Sequence, residues 1–600
     1  MSEKFISLRN LKFLLYEVHD VESLIRYSRF QDHDRETFDM ILEAAFRVGR
    51  ELLRPKLEEM DRLAPEYAAG RVKVHPMVRT FMNECGEGGW ISAAAPFDLG
   101  GQQLPRSLIA ACNFIWGAAN YSASVYPLLT AGAAHLIESF GSAEIRQRFI
   151  PNMYAGKWQG TMALTEPQAG SSLADITTTA EPTNDGYFKI RGQKIFISAG
   201  DHDGVDNVVH LLLARIKGAP PGVKGISLFV VPRFRPEGDD FAFNDVNTAG
   251  VYHKLGYRGC PITHLSIGES DDCRGWLIGE PHKGLGYMFQ MMNDARIEVG
   301  IGAAAIASAA YYASLVYAQE RPQGRRLTDK DPTQPQIAII EHADVKRMLL
   351  FQRAIVEGAV SLLLHCGVYS DLVEVTAGEE KARYSLLLDL LTPIAKSYPS
   401  EMGIMSVSQG LQILGGYGYC DEFPLQQYYR DIRIHPIHEG TTGVQSIDLL
   451  GRKVIIKDGA AFSLFVEEVK GTIRAALQLD QLQSYAERLE RAMGLLTQVT
   501  EHLVGFKRPE DRERFLADSA LYLEMFGIVA IAWQWLRQGI VVRKALAGNQ
   551  PEQEAAFYRG KYQTMQFFFH YELPKIEGLS RRLFETDGFT AKATVETFAD

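Results

Sequence analysis

No CxxC pair occurs among the six cysteines, Cys85, Cys112, Cys260, Cys273, Cys366 and Cys420. Their spacings suit neither a zinc site nor a disulfide framework, and they fit a reducing, cytoplasmic setting. Runs of Lys and Arg are missing too. The net charge of −10 is spread along the chain, so nothing offers a cationic footprint for nucleic acid. No GxGxxG opens a helix after a strand and no GxxxxGK[ST] exists, which removes the dinucleotide-fold and P-loop readings. The absence of a GxSxG elbow leaves nucleophilic hydrolysis without support. HExxH is also absent. Its nearest echo, HPIHE (His435 to Glu439), places Pro436 where a single helical face would have to carry both histidines, so no metal is expected.

What is present is an ordinary globular composition, long enough for three or four domains or one large core with additions. The start, MSEKFISLRNLKFLLYEV, has scattered charges and no small-residue cleavage site, unlike a secretory leader. Val299 to Ala318 is uncharged over 20 residues, enough by length to span a bilayer. Ala, Gly and Ser dominate it, however. Such small residues suit close helix packing inside a protein, and a buried helix is expected rather than a transmembrane segment.

Hydrophobic periodicity organises the rest. Residues 1–36 read as a short extension. Helical spacing runs over 37–160 (FDMILEAAFRVGRELL, then SLIAACNFIWGAANYSASVYPLLTAGAAHLI), interrupted by the Gly-rich FDLGGQQ. From Thr161 the texture changes to short alternating or apolar runs between Gly and Pro, such as GYFKIRGQKIFIS and GISLFVVP. These predict strands of a compact β domain over 161–280, without βαβ units, because no helical stretch separates the runs. Helices return over 281–457, broken by the Pro- and charge-rich Arg321 to Gln336. The tail, 461–600, is helical again, with an apolar stripe at Leu482, Tyr485, Leu489, Met493, Leu496, Val499 and Leu503. The expected class is α+β, mostly α.

Local chemistry marks three places and settles none. TEPQAGSS (Thr165 to Ser172) offers hydroxyls and backbone N–H groups, which fit an ordinary capped turn and, less well, a polar-ligand loop. LGGYGY (Leu414 to Tyr419) is Gly-dense, as turns are. In IHPIHEGTTGVQ, Glu439 stands alone before Gly440, either a solvated loop charge or a general base.

Taken together, six motifs resemble the acyl-CoA dehydrogenase family in content and order: Thr165–Ser172, GQKIFISAG (Gly192–Gly200), KLGYRG (Lys254–Gly259), MNDAR (Met292–Arg296), QILGGYGY (Gln412–Tyr419) and YRDIRIHPIHEGTTGVQ (Tyr429–Gln445). The extension and helical tail further resemble its larger bacterial branch, which includes 3-methylmercaptopropionyl-CoA and broad-range acyl-CoA dehydrogenases. The resemblance implies a helical bundle, a β domain and a second helical bundle, plus the extra C-terminal helical domain. It implies FAD as cofactor and the conversion of an acyl-CoA to its trans-2-enoyl-CoA. Electrons would leave to an electron-transfer flavoprotein. It further implies a homodimer, since the tail would cover the surface that other members use to form tetramers. The setting would be the bacterial cytoplasm, free or peripheral to the membrane. An acyl-CoA oxidase shares the motifs, as does an inactive flavoprotein with a binding role. The C-terminal ETFAD is no peroxisomal address and favours the dehydrogenase.

Carried over by position, Glu439 is the base that removes the α-proton, and its own N–H would help hold the thioester oxygen. Some relatives carry the base on the earlier helix, where this chain has Ala295. Met162, Leu164, Thr165, Gly170 and Ser171 would line the flavin, with Phe196 and Ser198 on its other side. Arg321, Gln412, Gly415 and Gly416 would hold the pyrophosphate and adenosine, and Thr441 would also touch FAD. Substrate would meet Ser171, Asn293, Arg296 and Gly440, the last giving clearance. The chain departs from the common pattern at Phe196 (often Trp), Met162 (often Tyr or Phe), Gly324 (often Phe) and Gly443 (often Gln). The small residues from Gly117 to Ser124 would either leave room for a long acyl chain or permit helix packing.

Overall fold

A computed structural model describes residues 4–237, 240–328 and 331–600. The chain forms two compact units, one of Glu43–Leu104 and Ile115–Ala295, the other of Met1–Leu42, Pro105–Phe114 and Arg296–Asp600. Each draws on several of the segments expected as separate domains.

The first unit holds most of helix α1 (Arg106–Phe140) and the β domain. Eight strands form its main sheet: β1 (Trp158–Ala163), β2 (Thr179–Pro182), β3 (Phe188–Ser198), β4 (Asn207–Ile216), β5 (Ile226–Pro232), β6 (Val246–Val251), β7 (Ile262–Ile267) and β8 (Arg274–Ile278). Their order is β6-β7-β3-β8-β5-β4-β1, with β2 against β3 and β4. Most pairs are antiparallel, as runs linked by short turns require. β1 and β2 lie parallel to β4, a pairing the runs themselves did not announce. β4 and β5 are buried along nearly their whole length, which explains their continuous apolar sequence.

Inside α1, Asn120 leaves helical geometry (φ −163°, ψ 97°). Its Oδ1 accepts the N–H of Ala123 at 3.3 Å, so it caps the second half of the helix. The small residues that follow are packed by protein. A methyl group on Gly259 would sit 2.9 Å from Ser122 Cβ and 3.0 Å from Met60 Cε. Ser122 thus packs against the loop that carries Gly259.

The second unit is helical: most of α2 (Gly284–Glu320), then α3 (Ala343–Val375), α4 (Gly378–Leu414), α5 (Thr442–Asp448), α6 (Gln483–Val504), α7 (Ser519–Ala547) and α8 (Glu552–Phe567). Among the described residues, α2, α3 and α7 are long and apolar enough to cross a membrane, yet their most apolar windows are between 83% and 89% buried inside the protein. Val299–Ala318 is thus a buried helix. Its Gly300 has a purpose. Pro399 lies inside α4 and, lacking an N–H, cannot bond the carbonyl of Ala395 four residues back. Gly300 closes on that carbonyl so tightly that a Cβ would lie 2.0 Å from its oxygen. The backbones of α2 and α4 therefore meet there, one residue from Lys396.

The N-terminal extension is a buried strap. Phe5, Phe13, Leu14 and Leu15 are fully buried. Arg9 donates to Glu554 of α8 at 2.8 Å, and Lys561 of α8 bridges Asn10 (2.9 Å) and Glu357 of α3 (2.7 Å). The α6 stripe is buried from Leu482 to Leu503.

Candidate active site

In the helical unit, Glu439 stands on a loop between Ile432 and the first turn of α5. Its backbone is left-handed, φ +53°, a conformation costly for any residue with a Cβ. Gly440 follows at φ +87°, where only glycine is unstrained. The turn is fastened from below. Gln445 Nε2 donates to the carbonyls of Glu439 (3.0 Å) and Gly440 (3.4 Å). Thr441 caps α5, its hydroxyl accepting the Val444 N–H at 3.2 Å, and the Thr442 hydroxyl donates to Glu401 of α4. Glycine at 440 is thus required by the backbone before any question of substrate clearance. A Cβ there would lie 2.6 Å from Gln445 Nε2. Gly440→Ala is expected to destabilise the protein by about 1–2 kcal/mol and to slow turnover about 10–100-fold by shifting Glu439. Thermal melts and kcat would check this.

The half-buried Glu439 carboxyl has its pKa raised by burial, against the opposing pull of the Arg296 and Lys396 cations. Arg296 is 3% exposed and bonded to Asp448 of α5 at 3.0 Å. It is thus engaged with protein and acts on the base. Lys396 is fully buried, and burial lowers its pKa to about 8 against the pull of Glu439 and Glu401. His435 and His438 are held neutral by burial. One carboxylate facing buried cations, on strained backbone, can take a proton at a fixed point.

Elsewhere in this unit, Arg321, Gly415 and Gly416 line one cavity of about 530 Å³ with Tyr317, Tyr417 and Cys420. The Cβ positions of Gly415 and Gly416 face open space, which leaves room for a polar group against the backbone. Gln412 is a turn away and does not line it.

In the β-sheet unit, Met162 and Leu164 are half-buried and Gly170 and Ser171 exposed. Phe196 is 57% exposed with φ +58° inside β3, an aromatic ring held outward on strained backbone and tilted against Tyr252, at 4.9 Å. Thr165 lies alongside, its carbonyl accepting the Ile195 N–H at 2.9 Å. Ser198 is half-buried. Asn293, also in this unit, is half-buried on α2.

Two residues that sequence reasoning passed over fasten this edge. Glu166 is 2% exposed and Lys194 fully buried. The Glu166 carboxylate accepts from Lys194 (2.8 Å), Gln168 (2.9 Å) and both the N–H and hydroxyl groups of Thr177 and Thr178, at 2.6–3.1 Å. Lys194 also donates to the Leu164 carbonyl at 3.0 Å. Burial alone would raise the Glu166 pKa, but Lys194 and the threonine donors hold it down to about 2. The signal was a lone lysine on the inward face of an alternating strand.

Four family models match the chain in order: the acyl-CoA dehydrogenase N-terminal domain over residues 35–157, the middle domain over 161–269, the C-terminal domain over 282–454, and an acetyl-CoA dehydrogenase C-terminal-like domain over 465–593. A 3-methylmercaptopropionyl-CoA dehydrogenase of Ruegeria pomeroyi is 36% identical, covering 94% of this chain and 95% of that one. A butyryl-CoA dehydrogenase of Syntrophomonas wolfei is 32% identical over 96% of each. The crystal structure of an acyl-CoA dehydrogenase complexed with FAD from Bacillus anthracis shares the fold, with a TM-score of 0.72 at 20% identity, covering 98% of this chain and 92% of that one.

Proposed function

The chain belongs to the acyl-CoA dehydrogenase family, and we propose that Glu439 is the general base with which it oxidises an acyl-CoA to the trans-2-enoyl-CoA. The observation that carries this is the half-buried carboxyl at position 439, carried on strained backbone that Gln445 fastens and faced by cations. An α-proton of a thioester is a weak acid, so a base must act where the developing negative charge is also stabilised. Burial raises the Glu439 pKa, which brings the base closer to the proton it must take.

FAD is the cofactor of this enzyme, and it supplies the acceptor for the β-hydride. The residues present fit it. Arg321 with the open glycines at 415 and 416 would hold the pyrophosphate. Met162, Leu164, Thr165, Gly170, Ser171, Phe196 and Ser198 would line the ring, and the Glu166–Lys194 pair keeps their loop and strand in register. The Thr441 hydroxyl accepts one bond in capping α5, which leaves its O–H and a second lone pair for FAD. Asn293 and Ser171 would meet substrate, while Arg296 acts on the base.

Reduced enzyme would pass its electrons to an electron-transfer flavoprotein, and the working species would be a cytoplasmic homodimer. Anaerobic titration of the FAD-loaded protein with short, long, aromatic and thioether acyl-CoAs tests the reading. Bleaching of the flavin with enoyl-CoA formed, and slow recovery in air, is the expected result. Rapid recovery with peroxide would make it an oxidase, and no bleaching by any acyl-CoA would overturn both.

A further inference from the structure

Lys396 is a buried cation without a hydrogen-bond acceptor. It is fully buried on α4, and among the described residues its Nζ meets no acceptor. A buried ammonium left this way is costly, and such groups persist where function requires them. Its position is set by the backbone contact of Gly300 with Ala395, the residue before it. Glu439 attracts Lys396 first and Glu401 second. Glu401 is engaged by the Thr442 hydroxyl. Burial holds His435 and His438 neutral, and Arg433, the loop's other basic residue, is exposed to solvent. Arg296 acts more strongly than Lys396 on Glu439 when each is taken as a single charge. Its guanidinium, however, is paired with Asp448 at 3.0 Å, an acid that Arg452 also engages at 2.7 Å. Among the described residues the ammonium of Lys396 has no hydrogen-bonded partner of this kind.

We propose that Lys396 is a positioning residue for the base: its buried, unpaired ammonium is the counter-charge that keeps the Glu439 carboxylate ionised and turned into its reactive orientation on the strained loop. This rests on the reading of Glu439 as the base. Replacing a buried cation by an apolar chain of similar length removes a desolvation cost, so Lys396→Met should fold with an unchanged or higher melting temperature. Its effect should fall on the base alone.

The test uses FAD-loaded enzyme and two readouts. The first, without substrate, is the infrared signal of the Glu439 carboxyl, isolated as wild type minus Glu439→Gln and followed against pH. In Lys396→Met its midpoint should rise by about one pH unit. The second is anaerobic flavin reduction by the best acyl-CoA. The acid limb of its pH profile should move up by the same amount, so that at a pH below both midpoints the rate falls about tenfold and is recovered as the pH rises. Lys396→Arg, which keeps the charge, should stay closer to wild type in the infrared titration; should Lys396→Met fail to fold, Lys396→Gln is read in its place. An unmoved midpoint together with an unmoved pH profile overturns the proposal, as does loss of stability and FAD with no change in either. If the midpoint moves but wild type is bleached by no acyl-CoA, the role of Lys396 as counter-charge stands and the proposed function falls.

Discussion

Glu439→Gln is expected to fold, to hold FAD and to bind acyl-CoA, yet to turn over about 10²–10⁴-fold more slowly than wild type. Gln fills nearly the same volume, and the interactions that shape the loop do not involve the carboxyl. Gln445 grips the backbone carbonyls of residues 439 and 440, and Thr441 caps α5. The loss should therefore appear in kcat far more than in KM or melting temperature. Wild type should also lose activity on acidification, because only the ionised carboxyl accepts the proton. As the folded pKa is raised above the ordinary 4.5, that loss should set in at a higher pH than a solvent-exposed glutamate would give. Steady-state kinetics against pH, beside FAD content and melting curves, would check each part.

Glu166→Gln should be the most damaging single change in the β domain, costing about 3–5 kcal/mol. It would leave the fully buried Lys194 ammonium without its counter-charge and weaken six bonds around the carboxylate, one to Lys194 on β3 and five that fold residues 166–178 about it. Loss of FAD should accompany the loss of stability, because Thr165 and Phe196 are placed by that network. The pair also predicts a pH dependence. The folded pKa of Glu166 lies at about 2, below its ordinary 4.5, so its contribution is complete above about 4.5 and is lost as the pH falls from there toward 2. Burial pulls Lys194 the other way, to about 8, but the six donors around the carboxylate decide for the charged pair at neutral pH. Adding Lys194→Met to Glu166→Gln should recover part of the stability and none of the FAD binding if the pair exists to place the loop. Urea or thermal melts with flavin content would show it.

Much of this was legible in the chain. The change from helical to two-residue periodicity near Thr161 marks the sheet, and the α6 stripe names its own buried face, because both depend on local repeats. Glu439 became a candidate through the ordered motifs, not through its own surroundings. What stayed hidden depends on long-range contact. Nothing local distinguishes Glu166 from a solvated acid in a turn, and its partner lies 28 residues away. Lys396 reads as one charge in an apolar run, and only its burial and its lack of an acceptor give it meaning. Gly440 was assigned to substrate clearance, while its φ and the closeness of Gln445 give a nearer cause. Arg296 pairs with Asp448, which is 152 residues on. The parallel pairing of β1 and β2 with β4 is a matter of topology, which alternation cannot reveal.

The most direct test of the account is the rate of anaerobic flavin reduction by a single acyl-CoA, carrying either hydrogen or deuterium at the α-carbon. Abstraction of the α-proton by Glu439 predicts that wild-type flavin bleaches and that α-deuteration slows it by a primary isotope effect. Bleaching at equal rates with both substrates, undiminished in Glu439→Gln, would contradict it.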